Sequence, residues 1–337
     1  MSLLDFNELL ENTPKNLNIY NSLLKGRAML ERHSKIAVSV SGGSDSDTIM
    51  DLLELMKPDN CKLSYVFFDT GLEFNATKRH LEKLERKYGV AIERRRAKVT
   101  VAAACNKYGV PFISKDASQM LERLQRHDFD WRDSLENATA EKYGRCKSAL
   151  DWYFDCRSLT RNGKSQFSIA KYALLREFIV DTPPDFNISD KCCDYAKKAV
   201  AKECQREFNP DLSVNGMRQA EGGRRAGSIQ TCFSPCHGDE PDNYRPLWFW
   251  TDADKAVYKE WRGLCYSDCY EVWGLKRTGC VGCPCNSKAE QELDIVEQFE
   301  PQLAKAARGV FGVSYDYKRR YAEYKANNRA NRRKTNV

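Results

Sequence analysis

The sequence has 337 residues, of which 42% are hydrophobic, enough for one large globular domain or two ordinary ones. It contains no run of about 18 apolar residues, which excludes a membrane-spanning helix. Its acidic, amphipathic start lacks the features of a signal peptide, so we expect a cytoplasmic protein. The net charge is +7, and the segment from Lys318 to the end holds all of this excess. That basic segment is either a solvated, frayed terminus or a surface that contacts nucleic acid.

Strand-like and helix-like segments alternate in the first third of the chain, after a helical extension at residues 1–33. Apolar runs predict strands at 35–40, 63–68 and 90–93, and helical spacing predicts helices at 47–57 and 75–88. This alternation predicts an α/β fold with a doubly wound, mostly parallel sheet and helices on both faces. Ligands bind such sheets at the carboxyl ends of the strands, where the first two strands run into glycine-containing turns.

The rest of the chain has weaker patterns. The segment 115–190 is helix-rich and aromatic, and the segment 212–216 is predicted to be a further strand of the sheet. We predict a long loop at 222–245 and a helix at 251–262 that is capped by Thr251 or Asp252. We therefore predict a main domain at residues 34–290, followed by a C-terminal helix and the basic tail at 291–337.

A glycine turn links the first predicted strand to its helix. Glycines allow a ligand to approach the backbone closely, and the N–H groups at a helix start attract anions. Serine hydroxyls add further donors, so we expect a phosphate or pyrophosphate here. The expected binding residues are Ser41, Gly42, Gly43, Ser44, Asp45 and Ser46.

The chain has fourteen cysteines. In a reducing compartment, clustered cysteines more often bind metal or carry out redox chemistry, whereas scattered ones are small buried hydrophobes. We assign the second role to Cys61, Cys105 and Cys156. The group Cys232, Cys236 and His237 is either a second metal half-site or has no role, and we favour the latter.

Two cysteine pairs, Cys192–Cys193 and Cys280–x–x–Cys283, can supply four thiolates. An alternative is a local site, in which Cys265 and Cys269 replace the first pair and bind zinc with the later cysteines.

Several motifs occur in an order that resembles the phosphoadenosine phosphosulfate (PAPS) reductase family and its PP-loop. They are SGGxDS at 41–46, DTG at 69–71, CCxxxK at 192–197, GxRxxE with following arginines at 216–225, the P…WT segment at 246–252, and RxGCxxCP at 277–284. Many relatives have lysine where this chain has Ser44.

The resemblance implies an adenine nucleotide alpha hydrolase-like fold that binds ATP, PAPS or adenylylsulfate, and it is compatible with Mg²⁺. It also implies a 4Fe–4S cluster on Cys192, Cys193, Cys280 and Cys283, with Lys197 moderating its charge. Further nucleotide-binding residues are expected at Asp69, Thr70, Gly71, Arg218, Arg224 and Arg225, since arginine suits tetrahedral oxyanions.

Three functions remain open. The sulfonucleotide reductases of the family use a C-terminal cysteine, whereas no cysteine follows Cys285 here, which favours an ATP-pyrophosphatase-type sulfur transferase. Asp45, Arg218 and Cys285 would be its catalytic residues, and its partners would be a sulfur donor or thioredoxin-like protein and a nucleic-acid acceptor. The alternatives are a PAPS or adenylylsulfate reductase that forms sulfite, and a non-catalytic sensor of nucleotide or redox state.

Overall fold

The computed structural model describes residues 1–156, 168–222, 229–236, 238 and 240–335. The chain forms two compact units, one made of Met1–Lys98 with Lys197–Gly279 and the other of Val99–Ala196 with Cys280–Val337. The domain boundaries near residues 34 and 290 remain predictions. Within the described ranges, no helix is both long enough and apolar enough to cross a membrane.

The described strands form one six-stranded sheet in the first unit, in the order β3-β2-β1-β4-β6-β5. The strands are β1 (Ile36–Val40), β2 (Leu63–Asp69), β3 (Ile92–Arg96), β4 (Leu212–Val214), β5 (Phe233–Ser234) and β6 (Asp242–Tyr244). All neighbouring strands are parallel except β5 and β6. The predicted mostly parallel α/β sheet is confirmed.

Helices surround this sheet and make up most of the second unit. They are α1 (Leu3–Glu11), α2 (Leu17–Arg32), α3 (Ser44–Met56), α4 (Asn75–Tyr88), α5 (Val101–Tyr108), α6 (Lys115–Arg126), α7 (Ala140–Tyr143), α8 (Lys147–Tyr153), α9 (Leu175–Asp181), α10 (Lys191–Cys193), α11 (Ala199–Phe208), α12 (Asp252–Arg262), α13 (Asp268–Glu271), α14 (Ala289–Phe299) and α15 (Pro301–Thr335). A π-helical turn, Asp194–Lys198, joins α10 to α11.

The sequence placed two regions incorrectly. The third strand lies at 92–96 rather than at 90–93, and the predicted long loop at 222–245 contains β5 and β6. β6 continues the sheet by pairing in parallel with β4. These strands have only two and three residues, too few for a period-2 pattern to be visible.

Strand β1 lies at the centre of the first unit's core. Its alternate residues Ile36, Val38 and Val40 are buried, and helix α3 covers it with fully buried residues such as Ile49 and Leu53. In the register of the sheet, Val40 pairs with Phe67 of β2 and Val38 pairs with Val214 of β4. The carboxyl ends of these three strands therefore meet at one edge, where the predicted ligand turns lie.

The core of the second unit is aromatic and depends on the long helix α15. The ring of Tyr317 on α15 lies 4.8 Å from that of Phe178 and 4.9 Å from that of Phe112, measured between centroids. The backbone of α15 is helical to Thr335, so the expectation of a frayed basic terminus is wrong for residues 318–335.

A buried carboxylate, Asp51, ties three helices of the first unit together. Its oxygens accept hydrogen bonds from Tyr88 of α4 (2.7 Å), Tyr258 of α12 (2.8 Å) and Nε of Arg262 (2.9 Å). Burial would raise the pKa of Asp51, but the hydrogen bonds from Arg262 and the tyrosines outweigh it, so the pKa is lowered. A buried charge that is paired and hydrogen-bonded in this way is costly to disrupt.

We expect Asp51→Asn to lower the free energy of unfolding by about 3–5 kcal/mol at pH 7, because Arg262 loses its buried counterion. Since the native pKa is below the unfolded value of about 3.9, the contribution of Asp51 is complete above that pH. It is lost as the pH falls through the native pKa, so the gap between variant and wild type narrows in acid. Urea unfolding at pH 7 and at acidic pH measures this gap. Asp59→Asn is the control, because that side chain is 79% exposed; equal losses in both variants would contradict the assignment.

Candidate functional site

The turn between β1 and α3 can exist only with glycine at position 42. Gly42 has φ +64°, and a Cβ there would lie 2.5 Å from Cγ2 of Thr77 on α4. Both the left-handed backbone and the close approach exclude a side chain. The turn is therefore held against α4, and this contact fixes where the N-terminus of α3 lies.

Gly43 faces a small cradle of hydroxyl groups. A Cβ at Gly43 would lie 3.1 Å from Oγ1 of Thr278 and 3.2 Å from both Oγ of Ser41 and the hydroxyl of Tyr270. The Tyr270 hydroxyl and Thr278 Oγ1 are 3.0 Å apart. Burial raises the pKa of Tyr270, which keeps its phenol protonated as a donor. The cradle has the chemistry of an oxyanion site at a helix N-terminus.

The three serines of the turn make different contacts. Ser46 is buried, and its hydroxyl donates to the Gly43 carbonyl oxygen at 2.9 Å. The Gly43 N–H lies 3.2 Å from Oγ of Ser46 and 3.3 Å from Oγ of Ser41. Ser41 and Ser46 thus shape the turn itself, whereas Ser44 accepts a hydrogen bond from Lys255 at 2.8 Å. The prediction that all three hydroxyls contact phosphate remains a prediction.

Two cations converge on Asp45 in the first turn of α3. Nζ of Lys255 is 2.5 Å and Nε of Arg218 is 3.0 Å from Oδ1 of Asp45, and Nη1 of Arg218 is 3.0 Å from Oδ1 of Asp252. Burial alone would lower the pKa of Arg218, but Asp45 and Asp252 more than reverse this, so the pKa is raised. The structure places Arg218 beside Asp45 and adds Lys255, while the nucleotide-binding and catalytic roles of Asp45 and Arg218 remain predictions.

The second turn, after β2, is braced internally. Oδ1 of Asp69 accepts the Gly71 N–H at 2.9 Å, and Nζ of Lys78 lies 3.1 Å from Oδ2 of Asp69. Thr70 is fully buried and donates its hydroxyl to Glu73 at 2.7 Å. These contacts shape the turn at the ligand edge of the sheet. Nucleotide contacts by Asp69, Thr70 and Gly71 remain predictions, and Arg224 and Arg225 lie outside the described residues.

The second unit gathers a set of thiols, here called the thiol cluster: Cys105, Cys192, Cys193, Cys283 and Cys285. Contact with Cys105, together with burial, raises the pKa of Cys192, and contact with Cys192 raises that of Cys193. Cys283 raises the pKa of Cys285 through a direct contact and acts on both members of the adjacent pair. The structure thus places Cys283 of the CxxC motif near the Cys192–Cys193 pair, and the ligand roles of these cysteines and of Cys280 remain predictions.

Cys280 begins the CxxC turn, and its carbonyl oxygen accepts the N–H of Cys283 at 3.2 Å. Helix α15 holds the residues that follow. Tyr315 donates to the Gly282 carbonyl oxygen, and Nζ of Lys318 donates to those of Pro284 (3.0 Å) and Asn286 (3.1 Å). The loop that carries three of the chain's cysteines is therefore shaped by one face of a later helix.

Cys105 has a different setting from the one predicted. It is buried, but it contacts Cys192 rather than serving as an isolated hydrophobe, because α5 packs against α10. Cys156 is exposed, so its expected burial is wrong, and Cys61 is half-buried. Cys232 accepts a hydrogen bond from Lys25 at 3.0 Å, Cys236 is exposed, and the adjacent His237 lies outside the described residues.

The donor set of the thiol cluster suits an iron–sulfur cluster. It is entirely sulfur. Neighbouring thiols and burial raise the pKa of Cys193 and Cys285, and the positive charge of Lys115 offsets part of this rise. Four thiolates are the usual ligands of a 4Fe–4S cluster. In the described part of the chain, no group of three or more His, Cys, Asp or Glu side chains has an arrangement that could hold a single metal ion. The expected Mg²⁺ remains a prediction.

The alternative zinc pair has two unlike members. Cys265 is exposed and Cys269 is buried, and both belong to the first unit, whereas Cys280, Cys283 and Cys285 belong to the second. The zinc alternative therefore stays open to the test given below.

Sequence reasoning missed Lys255, Tyr270 and Thr278. Thr278 lies inside the RxGCxxCP motif, so its motif neighbours could have drawn attention to it. Lys255 lies on a helix with an ordinary amphipathic pattern and Tyr270 on a helix of four residues, and nothing in their local sequence signals a ligand.

Comparison with known proteins gives two sequence matches. Residues 35–128 match the family model of the phosphoadenosine phosphosulfate reductase domain. Over 76 residues, the chain is 37% identical to Uncharacterized protein MJ0066 of Methanocaldococcus jannaschii, a match that spans 23% of this chain and only 15% of that protein.

Among solved structures, the chain is similar to PAPS reductase from Candida auris in its phosphate complex. The two chains are 14% identical with a TM-score of 0.42, and the match covers 83% of this chain and 96% of that one. It is also similar to the U34-tRNA thiolase NcsA from Methanococcus maripaludis with its 4Fe–4S cluster, with 14% identity and a TM-score of 0.39, over 89% of this chain and 81% of that one. The family match covers β1 to β3 with both ligand turns. Residues 35–128 of this chain are therefore similar to the phosphoadenosine phosphosulfate reductase domain, in agreement with the resemblance seen in the sequence motifs.

Proposed function

We propose that this protein is an ATP-pyrophosphatase-type sulfur transferase. The observation that carries the proposal is the N-terminus of α3, where the hydroxyl cradle at Gly43 adjoins the cations Lys255 and Arg218. Helix-start N–H groups, hydroxyl donors and two cations together suit a pyrophosphate group, which carries several negative charges.

The proposed reaction has two steps. An oxygen of the acceptor attacks the α-phosphorus of ATP, so that an acceptor–AMP bond forms and pyrophosphate leaves. The terminal sulfur of a persulfide on Cys285 then attacks the acceptor carbon, and the carbon–oxygen bond breaks to release AMP. The remaining sulfur–sulfur bond is reduced by a dithiol protein of the thioredoxin class, and a sulfur-donor protein renews the persulfide.

In this proposal, Cys192, Cys193, Cys280 and Cys283 would hold the 4Fe–4S cluster, which supplies electron-transfer chemistry when it is bound. Lys115 offsets part of the negative charge of the thiolates. Cys285, whose contact with Cys283 places it beside the ligand set, is the sulfur carrier.

A second candidate is a PAPS or adenylylsulfate reductase, which the family match itself favours. The attacking thiol would then come from an internal cysteine or from a partner. Anaerobically purified protein separates the candidates by its products. AMP and pyrophosphate from ATP support sulfur transfer, whereas sulfite from PAPS or adenylylsulfate with thioredoxin establishes the reductase. Tight nucleotide binding without either product would instead establish a regulator.

We predict that Gly43→Ala weakens pyrophosphate and ATP binding by at least about tenfold, the size of one lost hydrogen bond to a charged group. The new methyl group would occupy the space among Ser41, Tyr270 and Thr278. Isothermal titration with each ligand measures the loss. Gly312→Ala is the control, because a Cβ there meets no atom within 4 Å; unchanged affinity in Gly43→Ala would contradict the cradle assignment.

We predict that Cys283→Ser loses the iron and the brown colour, because one of four thiolate ligands is gone. Iron and sulfide per chain, with visible absorbance after anaerobic reconstitution, give the readout. Cys265→Ser and Cys269→Ser should keep the iron, and its loss in both would favour the alternative ligand pair. Cys285→Ser should keep the iron but lose product formation; a colourless Cys285→Ser would make that thiol a ligand.

We propose that the acceptor is a nucleic acid held partly by the end of the basic segment. The earlier cations of this segment contact the protein itself, as Arg319 pairs with Glu290 and Asp316, and Lys325 lies 4.2 Å from the Tyr321 ring centroid. The sequence from 329 to 334 adds four more Lys or Arg residues.

Ending the chain at residue 328 should therefore reduce the salt dependence of RNA or DNA binding. Four phosphate contacts correspond to a change of about 3–4 in the slope of log affinity against log salt. Fluorescence anisotropy with labelled 20-mers at several salt concentrations measures this slope. An identical slope in the full and shortened chains would remove the tail from the interface.

A further inference from the structure

Lys255, on α12, is a mostly buried cation whose side chain contacts the first turn of α3. Its side chain is only 12% exposed. Nζ donates to Oγ of Ser44 at 2.8 Å and lies 2.5 Å from Oδ1 of Asp45. An ammonium group has three donors, so the hydrogen bond to Ser44 and the ion pair with Asp45 leave at least one N–H for a further acceptor.

The surroundings of Lys255 are also incompletely satisfied. The side chain of Arg218 is 9% exposed, and its Nε lies 3.0 Å from Oδ1 of Asp45. The Nε–H donor of Arg218 is buried and forms an ion pair with Asp45, but it has no hydrogen bond of good geometry within the described part of the chain. Native structures rarely leave buried donors unpaired, so an additional anion at this point would complete the arrangement.

We propose that Lys255 binds the pyrophosphate portion of the nucleotide directly and so determines selectivity for polyphosphates over monophosphates. The proposal rests on the proposed function, because it takes the turn at 41–46 as the phosphate site. A lysine is a compact point charge with rotatable donors, which suits a polyphosphate whose oxygens point in several directions. Without a ligand, the carboxylate of Asp45 is the counterion of both Lys255 and Arg218.

The aromatic neighbour of Lys255 supports this orientation. The Tyr266 ring centroid lies 5.8 Å from Nζ of Lys255, and the Tyr266 hydroxyl is 3.3 Å from Oγ1 of Thr48 on α3. The ring and the α3 turn therefore confine the lysine. Lys259 lies one turn later on α12, 4.8 Å from the centroid of the same ring, but it is 37% exposed and pairs with Glu271 at 2.7 Å rather than with Ser44 and Asp45. This provides a matched control on the same helix.

The test compares Lys255→Met with Lys259→Met in titrations with ATP, pyrophosphate and AMP, after thermal unfolding has shown both variants to be folded. We expect Lys255→Met to lose about 10- to 100-fold in affinity for ATP and pyrophosphate, the range for a hydrogen bond to a charged group. Its affinity for AMP should change by less than threefold, and Lys259→Met should match the wild type for all three ligands.

A second pair of variants separates direct contact from a supporting role. Adding Ser44→Lys to Lys255→Met puts an ammonium group back on the same turn, and Lys255→Arg keeps the charge in place. Both should recover most of the pyrophosphate affinity, and recovery in neither would overturn the proposal. An equal loss for AMP and ATP would also overturn it, because Lys255 would then act by holding the turn.

The outcomes also distinguish this inference from the proposed function. Wild-type protein that binds neither ATP nor pyrophosphate would overturn the proposed function. Wild-type protein that binds both, with Lys255→Met unchanged, would overturn only the role of Lys255.

Discussion

The contact between Gly42 and Thr77 is the constraint on which the nucleotide-site geometry depends. Gly42 has φ +64° and leaves no room for a methyl group beside Thr77, so the β1–α3 turn packs directly against α4. Because the turn cannot shift, α3 begins at a fixed point above the sheet. Its first residues then meet α12, the hydroxyls of Tyr270 and Thr278, and the end of β4. A single steric contact thus sets the position of groups from four separate segments.

Asp45 has an unusual position for an acidic residue, since it occupies the centre of a site suited to anions. Its carboxylate is shared by Lys255 and Arg218, which would otherwise be two partly buried cations repelling each other. Removing one member of a buried group of charges is far more costly than the group itself is stabilising. The arrangement therefore keeps the cations desolvated and oriented without a ligand, which lowers the reorganisation needed when a ligand binds.

The sequence predicted what depends on local pattern. Residues 41–46 carry their own glycine and hydroxyl chemistry, and the paired motifs identified Cys192, Cys193 and Cys283 without any knowledge of packing. Lys255 could not be found in this way, because it reaches Ser44 across 211 residues of sequence. Cys105 likewise has no motif around it and joins the other thiols only because α5 packs on α10. The strands β5 and β6 were missed because they are stabilised by pairing and not by a pattern of their own.

The loop around Gly282 is shaped by side chains of α15, since Tyr315 follows Gly282 by 33 residues and Lys318 comes later still. On the ribosome, the cysteines of this loop are therefore made before the helix that arranges them. At roughly 5–20 residues per second, the interval lasts a few seconds. During that time the thiols lack their final geometry and are open to oxidation or to the wrong metal. Correct maturation of the site thus depends on how quickly the cell completes and folds the last helix.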